Sequence, residues 1–276
     1  MDWTHLLRCP RCSSRGLTLS PKANDELLPE RGEAVCASCN ARFPIRHHVL
    51  DLAQRSDTNL LTLAGLSNYL PMLPWGYENL WRPRSLTFLS GETFSNAREI
   101  RLLNDWVTPG TGELIVDLGS STDLYARGIG KQSADAAVVA IDMATGMLDA
   151  GRKYALRDGV KNIAHVRAPV QRLPFADASV DALACGGSLN EFRSMSEALR
   201  EARRVVKTGG RMFAMSLLQA SSTAGRIGQW NARVSGIAFP SLDEFNRVIA
   251  HAGWQCERQQ VYGVVAFTLM KPGLRG

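Results

Sequence analysis

A chain of 276 residues, of which 45% are hydrophobic, is long enough for one or two domains with a substantial core. The formal charge of +6 permits contact with nucleic acid or an anionic surface but does not require it. No apolar run is long enough to cross a bilayer, and the first residues lack the basic-then-apolar pattern of a secretory signal. We therefore expect a globular, cytoplasmic protein.

Two Cys-x-x-Cys pairs occur in residues 1–52. They are Cys9 with Cys12 and Cys36 with Cys39, a repetition that is typical of a zinc ribbon. Four thiolates can complete a tetrahedral site with no position left for water, which predicts structural Zn²⁺. The metal would supply much of the folding free energy, because so short a segment has little core of its own. A disulfide alternative would need an oxidising compartment, which nothing in the sequence indicates.

Residues 53–110 predict a helical linker or lid. Leucines at helical spacing predict a helix that ends near Pro71; they are Leu60, Leu61, Leu63, Leu66 and Leu70. Residues 74–83 are rich in aromatic side chains and interrupted by prolines. Helical spacing returns from Phe94 to Val107, and the following Pro-Gly pair ends it.

Residues 114–129 have the pattern of a strand, a tight turn and the start of a helix. The apolar strand ends in Asp117 and is followed by a turn of Gly, Ser and Thr. A second apolar run, residues 136–141, ends in Asp142. The spacing from Asp117 to Asp142 is close to the roughly 20 residues at which an acidic side chain holds ribose hydroxyls. The pattern predicts a nucleotide site in a doubly wound α/β sheet.

Apolar runs alternate with helical patterns through the rest of residues 111–276. Further strands are predicted at residues 162–166, 179–184, 212–217, 254–260 and 264–270. Helices are predicted at residues 143–154, 197–206 and 242–252, the last capped by Ser241. A turn is predicted at residues 207–211, and a polar, Gly/Ser-rich insertion at residues 218–240.

The turn from Gly119 to Asp123 resembles motif I, Asp-x-Gly-x-Gly-x-Gly, of the S-adenosyl-L-methionine (SAM) dependent methyltransferases. Gly119 matches the first glycine, whereas Ser121 and Asp123 replace the other two. Leu-Pro-Phe at residues 173–175 and Val-Val-Lys-Thr-Gly-Gly-Arg at residues 205–211 also resemble family segments, in the ubiquinone/menaquinone methyltransferase type. The resemblance implies SAM as cofactor and a Rossmann-like, seven-stranded, mostly parallel sheet with helices on both faces.

By that resemblance, residues at the carboxyl ends of the strands would hold the cofactor. The Gly119–Asp123 turn would meet the methionine part, with the Asp123 carboxylate paired to its ammonium group. Asp142 would bind the ribose, and Met143 would lie on the adenine or ribose. Backbone groups near Val170 would meet adenine, because a proline replaces the usual acid there. The full set is Asp117, Gly119, Ser121, Asp123, Asp142, Met143, Val170, Gln171 and Cys185.

The loop after the fourth core strand would face the transferred methyl group. Glu191 is predicted as a general base and Asn190 as the residue that orients the acceptor, with helix capping and surface exposure as the alternative. In the family, helices before motif I and the segment after the fifth strand help to enclose the acceptor. The implied acceptor residues are Tyr77, Trp81, Arg82 and Trp230. Packing of these aromatic side chains on the core is the alternative.

Three functions remain open from the sequence. The leading hypothesis is methyl transfer to a carbon or oxygen of a small or lipophilic, quinone-like or natural-product-like acceptor. The second is methylation of rRNA or tRNA bases with the ribbon bound to RNA, although basic and acidic residues nearly balance in residues 1–52. The third is a non-methylating cyclase, lyase or inactive partner, because motif I is altered and fold does not fix function.

Overall fold

The computed structural model describes residues 3–23, 26–54, 57, 73–234 and 236–273. The strands are β1 (Leu17–Ser20), β2 (Arg31–Cys36), β3 (Arg42–Arg46), β4 (Val49–Asp51), β5 (Leu114–Leu118), β6 (Ala137–Asp142), β7 (Ile163–Arg167), β8 (Val180–Gly186), β9 (Val206–Leu217), β10 (Trp254–Tyr262) and β11 (Val265–Pro272). The helices are α1 (Leu73–Gly76), α2 (Arg82–Ser90), α3 (Asn96–Val107), α4 (Leu124–Gln132), α5 (Thr145–Arg157), α6 (Met195–Val205), α7 (Thr223–Val234) and α8 (Leu242–His251). A π-helical stretch, Tyr77–Trp81, joins α1 to α2.

All the strands in the described part of the chain form one 11-stranded sheet, in the order β1-β2-β3-β4-β7-β6-β5-β8-β9-β11-β10. Neighbouring strands from β4 to β9 are parallel, whereas the strands at both edges pair in antiparallel fashion. Strands β5 to β11 confirm the predicted Rossmann-like, mostly parallel sheet.

The N-terminal ribbon continues this sheet. Strand β4 pairs in parallel with β7, so that Leu50 lies opposite Val166 and Asp51 opposite Arg167. Trp3 and other ribbon side chains belong to the same buried cluster as residues of α6 and α8. One sheet and one buried core therefore extend across the division expected after residue 52. The domain divisions after residues 52 and 110 stay predictions.

The central strands are buried on both faces, as expected for parallel strands with nearly continuous apolar sequences. One face packs against α6 and α8, and the other against α3, α4 and α5. Helices therefore cover both faces, as the family resemblance implied. In such a sheet, ligands bind outside the carboxyl ends of the parallel strands.

Some local predictions differ from the structure. Residues 207–210, predicted as part of a turn, belong to β9, whose pairing with β8 is irregular there. Residues 218–240, predicted as a polar insertion, contain α7, and none of the side chains of this helix is buried. The predicted leucine helix of residues 60–70 lies outside the described residues. The predicted cap of α8 is confirmed, since Ser241 Oγ accepts a hydrogen bond from the Glu244 amide.

Candidate cofactor and acceptor site

The turn after β5 keeps the backbone shape of a glycine-rich motif. Gly119, Ser121 and Asp123 all have positive φ, at 65°, 53° and 65°. Left-handed backbone costs an L-residue about 1–2 kcal/mol, so Ser121 and Asp123 are strained where the family motif has glycine. A Cβ on Gly119 would lie 2.5 Å from the Cβ of Ser188, whose hydroxyl donates to the Gly119 carbonyl at 2.9 Å.

Asp117 and Asp142 hold this turn in different ways. Asp117 is buried beneath it and accepts a hydrogen bond from the amide of Ala126, while burial and the charge of Asp123 raise its pKa. Asp142 is half-buried and accepts from the amides of Ser121 and Ala144, each at 2.9 Å. Because a carboxylate oxygen can accept two hydrogen bonds, each Asp142 oxygen retains capacity for a ribose hydroxyl.

Asp123 does not fit its predicted role at the ligand ammonium group. Its side chain is fully buried, and one carboxylate oxygen lies 2.6 Å from Nε2 of His165 on β7. A Cβ on Gly151 would lie 2.4 Å from the Asp123 carboxyl carbon, so the side chain is also pressed against α5. The carboxylate thus faces the interior between α5 and the sheet, where it supports the turn from below.

Asn190 also has a role other than the predicted one. It is fully buried, and its Nδ2 donates to the carbonyls of Leu217 at 2.8 Å and Ala238 at 2.6 Å. Its Oδ1 accepts from the Ser216 hydroxyl at 3.0 Å and from the Leu217 amide at 2.8 Å. The side-chain amide of Asn190 therefore has both its donor and its acceptor atoms occupied, and it connects the end of β9 to the chain that follows α7. It is not available to orient an acceptor.

Glu191, unlike Asp117 and Asp123, is exposed to solvent. It follows β8 and lies at the carboxyl end of the sheet. Burial and the charge of Asp142 raise the pKa of Glu191 to about 7. Among the described residues its carboxylate has no hydrogen-bond partner. A carboxylate with these properties can accept a proton near neutral pH.

The π-helical stretch lies against the turn. The Tyr77 phenol contacts the Ser121 side chain and lies near Glu191, and burial raises the pKa of Tyr77. Glu78 accepts a hydrogen bond from the Thr122 hydroxyl at 2.7 Å and pairs with Arg127. These contacts hold the π-helical stretch, and Tyr77 with it, beside the turn; the place of Tyr77 at the acceptor stays a prediction.

The other predicted acceptor residues lie elsewhere. Arg82 is buried and its guanidinium donates to Glu99 at 2.7 Å, while the Tyr125 hydroxyl donates to the same oxygen at 2.6 Å. Arg82 therefore attaches α2 to α3 and α4 instead of lining an open pocket. Trp81 and Trp230 are both exposed on the outer surface.

The residues predicted to meet adenine lie near the ribbon. Val170 is buried and Gln171 half-buried in a short 3₁₀ turn after β7. Met143 is half-buried, and its carbonyl accepts from Nε of Arg167 at 3.0 Å. Arg167 also pairs with Asp51 of β4 at 3.1 Å, which links the ribbon to the chain beside Asp142. Cys185 packs in the core, and burial raises the pKa of its thiol.

Comparison with known proteins agrees with this geometry. A sequence profile described as a methyltransferase domain matches residues 116–214. An uncharacterised chloroplastic methyltransferase of Arabidopsis thaliana is 26% identical over 283 residues, covering 99% of this chain and 80% of the relative. The demethylmenaquinone methyltransferase of Corynebacterium kroppenstedtii is 30% identical over 169 residues, covering 53% of this chain and 70% of the relative. The chain belongs to the SAM-dependent methyltransferases.

A solved structure supports the same fold. A SAM-dependent methyltransferase of Aquifex aeolicus superimposes with a TM-score of 0.54 at 18% identity, covering 73% of this chain and 98% of that one. Within the described residues, no helix of this methyltransferase combines the length and apolar character needed to span a bilayer.

The four ribbon cysteines of this methyltransferase form a cluster suited to a metal ion. The Sγ atoms of Cys9 and Cys39 are 3.8 Å apart, and those of Cys12 and Cys36 are 3.6 Å apart. All four Sγ atoms lie within 4.8 Å of one another. A tetrahedral Zn²⁺ with bonds of about 2.3 Å to sulfur places its ligands about 3.8 Å apart. The donor set and spacing therefore fit structural Zn²⁺.

Several residues that shape the site were not predicted from the sequence: Glu78, Glu99, Thr122, Tyr125, His165 and Ser188. Each acts through a contact with a residue distant along the chain, such as Glu78 with Thr122 or His165 with Asp123. No local pattern marks such pairs. Ser121 and Asp123, in contrast, align with motif glycines, and both have positive φ.

Replacing Gly119 with alanine is expected to weaken SAM binding about 30-fold, because a left-handed L-residue is strained and its Cβ would collide with Ser188. Calorimetric titration of SAM measures the change. Gly159→Ala is the matched control, since Gly159 has a φ of +74° but open space around its Cβ position. Adding Ser188→Gly to Gly119→Ala should recover part of the affinity. Equal losses of SAM affinity in Gly119→Ala and Gly159→Ala would contradict the expected collision with Ser188.

Proposed function

We propose that this methyltransferase transfers a methyl group from SAM to a carbon or oxygen of a small, lipophilic, quinone-like acceptor. The observation that carries the proposal is the accessible carboxylate of Glu191, which lies beyond β8 in the field of Asp142 and close to Tyr77. The name of the Corynebacterium relative, demethylmenaquinone methyltransferase, favours a quinol-like acceptor.

When bound, SAM supplies an electrophilic methyl group on a sulfonium centre. Asp142 would accept hydrogen bonds from the ribose, and the Gly119–Asp123 backbone would contact the methionine part. Glu191 would take up the proton that the acceptor hydroxyl or ring carbon loses, and Tyr77 would contact the acceptor ring. Fixed orientation of the reactants lowers such a barrier by up to about 7–11 kcal/mol, so positioning would provide most of the acceleration.

Contacts of the ribbon support packing over RNA binding. Arg8 pairs with Asp177 of the methyltransferase core at 3.5 Å, and Arg42 pairs with Glu33 within the ribbon. The Leu7 and Leu50 side chains are buried in the shared core. We propose that the ribbon, with Zn²⁺ on its four cysteines, serves as a structural part of the enzyme.

Replacing Asp142 with asparagine is expected to weaken SAM binding about tenfold, because hydrogen bonds to a charged acceptor contribute about 1.5–3 kcal/mol. Calorimetric titration compares the variant with Asp135→Asn, an exposed aspartate at the opposite end of β6. The control should bind as the unaltered protein does. Absence of SAM binding by the unaltered protein would overturn the proposed methyl transfer and favour a non-methylating role.

A further inference from the structure

Helix α7 presents its large apolar side chains to solvent. Ile227, Trp230 and Val234 are 66%, 65% and 70% exposed. Their spacing of three and four residues places all of them on one face of the helix. The stripe therefore has helical periodicity but points away from the protein.

The inner face of α7 is made of small or polar residues. A Cβ on Gly225 would lie 2.6 Å from the Cβ of Ala220, so the helix approaches the preceding chain closely there. Gln229 donates to the carbonyl of Leu218 at 2.8 Å and accepts from the amide of Ala220 at 2.9 Å. A helix that covers a core has the reverse arrangement, with apolar residues inside. The outer stripe of α7 is thus suited to something beyond this chain.

Positive charge borders the outer stripe. Arg226 and Arg233 each precede a stripe residue and are exposed, and their guanidinium groups donate to the carbonyls of Ser221 and Phe239. Residues 218–240 contain no aspartate or glutamate. An apolar face with a tryptophan and flanking arginines is typical of a helix that lies in the interface of an anionic membrane.

A second exposed aromatic surface lies at the same edge of the sheet. On the helical stretch from α1 to α2, Trp75, Trp81 and Phe88 are exposed. That stretch is held by Thr122 beyond β5, and α7 follows the carboxyl end of β9. Both surfaces therefore border the edge at which Glu191 lies.

We propose that α7 docks this edge of the enzyme on an anionic lipid surface. Ile227, Trp230 and Val234 would enter the headgroup region, while Arg226 and Arg233 would contact lipid phosphates. The docking goes beyond the proposed reaction and does not depend on it. If both hold, the edge of the sheet that carries Glu191 faces the phase in which a lipophilic acceptor dissolves.

Co-sedimentation of the full chain with vesicles tests the proposal. Vesicles of mixed phosphatidylcholine and phosphatidylglycerol should bind the protein, and vesicles of phosphatidylcholine alone should bind it more weakly. The double variant Ile227→Ser/Trp230→Ser should bind the anionic vesicles about tenfold more weakly, because the stripe enters the membrane interface. Leu156→Ser, which alters an exposed leucine on α5, is the matched control and should bind normally.

Three results would overturn the proposal. One is no binding to anionic vesicles, and another is equal binding by the double variant. The third is a dimer in sedimentation that the double variant dissociates, which would assign the stripe to a second copy of the chain. SAM titration of the double variant separates this test from the proposed function: its SAM affinity should be unchanged, because the altered side chains lie on the outer surface.

Discussion

Replacing Glu191 with glutamine is expected to lower kcat about 100-fold or more and to remove the dependence of activity on pH near neutrality. In the unaltered enzyme, burial and the charge of Asp142 raise the pKa of Glu191 to about 7. A general base works only when deprotonated, so kcat/KM should rise with pH below that value and level off above it. Glutamine keeps the size of the side chain but cannot accept the proton.

The measurement is release of S-adenosylhomocysteine from SAM with a reduced alkyl-naphthoquinol as the acceptor, across the pH range around 7. Glu197→Gln is the matched control, because Glu197 is an exposed glutamate on the first turn of α6. The control should keep the rate and the pH profile of the unaltered enzyme. SAM affinity of Glu191→Gln should change little, which separates loss of the base from loss of the cofactor site. An unchanged pH profile in Glu191→Gln would exclude Glu191 as the base.

Replacing Cys36 with serine is expected to destabilise the whole methyltransferase. Structural zinc contributes about 10–16 kcal/mol to the folding of isolated zinc fingers. Loss of one ligand should remove several kcal/mol of this folding free energy. The ribbon provides β4, which pairs with the edge of β7, and part of the shared core. Unfolding of the ribbon would therefore expose the edge of β7 and the buried side chains that pack against the ribbon. A loss of about 3 kcal/mol or more should lower the unfolding temperature by about 10 °C for a chain of this size.

Zinc content and thermal unfolding measure this effect, with Cys256→Ser as the control. Cys256 is an exposed, free cysteine on β10, far along the chain from the four clustered cysteines. SAM affinity should also fall in Cys36→Ser, since Asp51 holds Arg167, which binds the carbonyl of Met143 beside Asp142. Zinc-free protein with an unchanged unfolding temperature would show that the ribbon folds without metal and contributes little to the core.

The carboxylates of the site illustrate where prediction from sequence succeeded and failed. The position of Asp142 at the end of a strand was predicted from the sequence, because strand periodicity and the following turn are local properties. Asp123 was assigned to the ligand by its place in the motif, yet its side chain contacts His165 on a different strand. Asn190 and Glu191 are neighbours in sequence, but the first is enclosed by β9 and the second lies open. Which of two adjacent polar residues is exposed depends on distant segments.

The sequence by itself determined the paired cysteines of the ribbon, the alternation of strands and helices, and the family resemblance of the cofactor turn. These features follow from cysteine spacing, hydrophobic periodicity and turn chemistry within short stretches of chain. Only the tertiary structure decided that the ribbon extends the sheet through β4, that Glu191 is the accessible carboxylate, and that α7 points its apolar face outward. Those outcomes arise from pairing and burial between segments far apart in sequence, and local residue patterns do not encode such contacts.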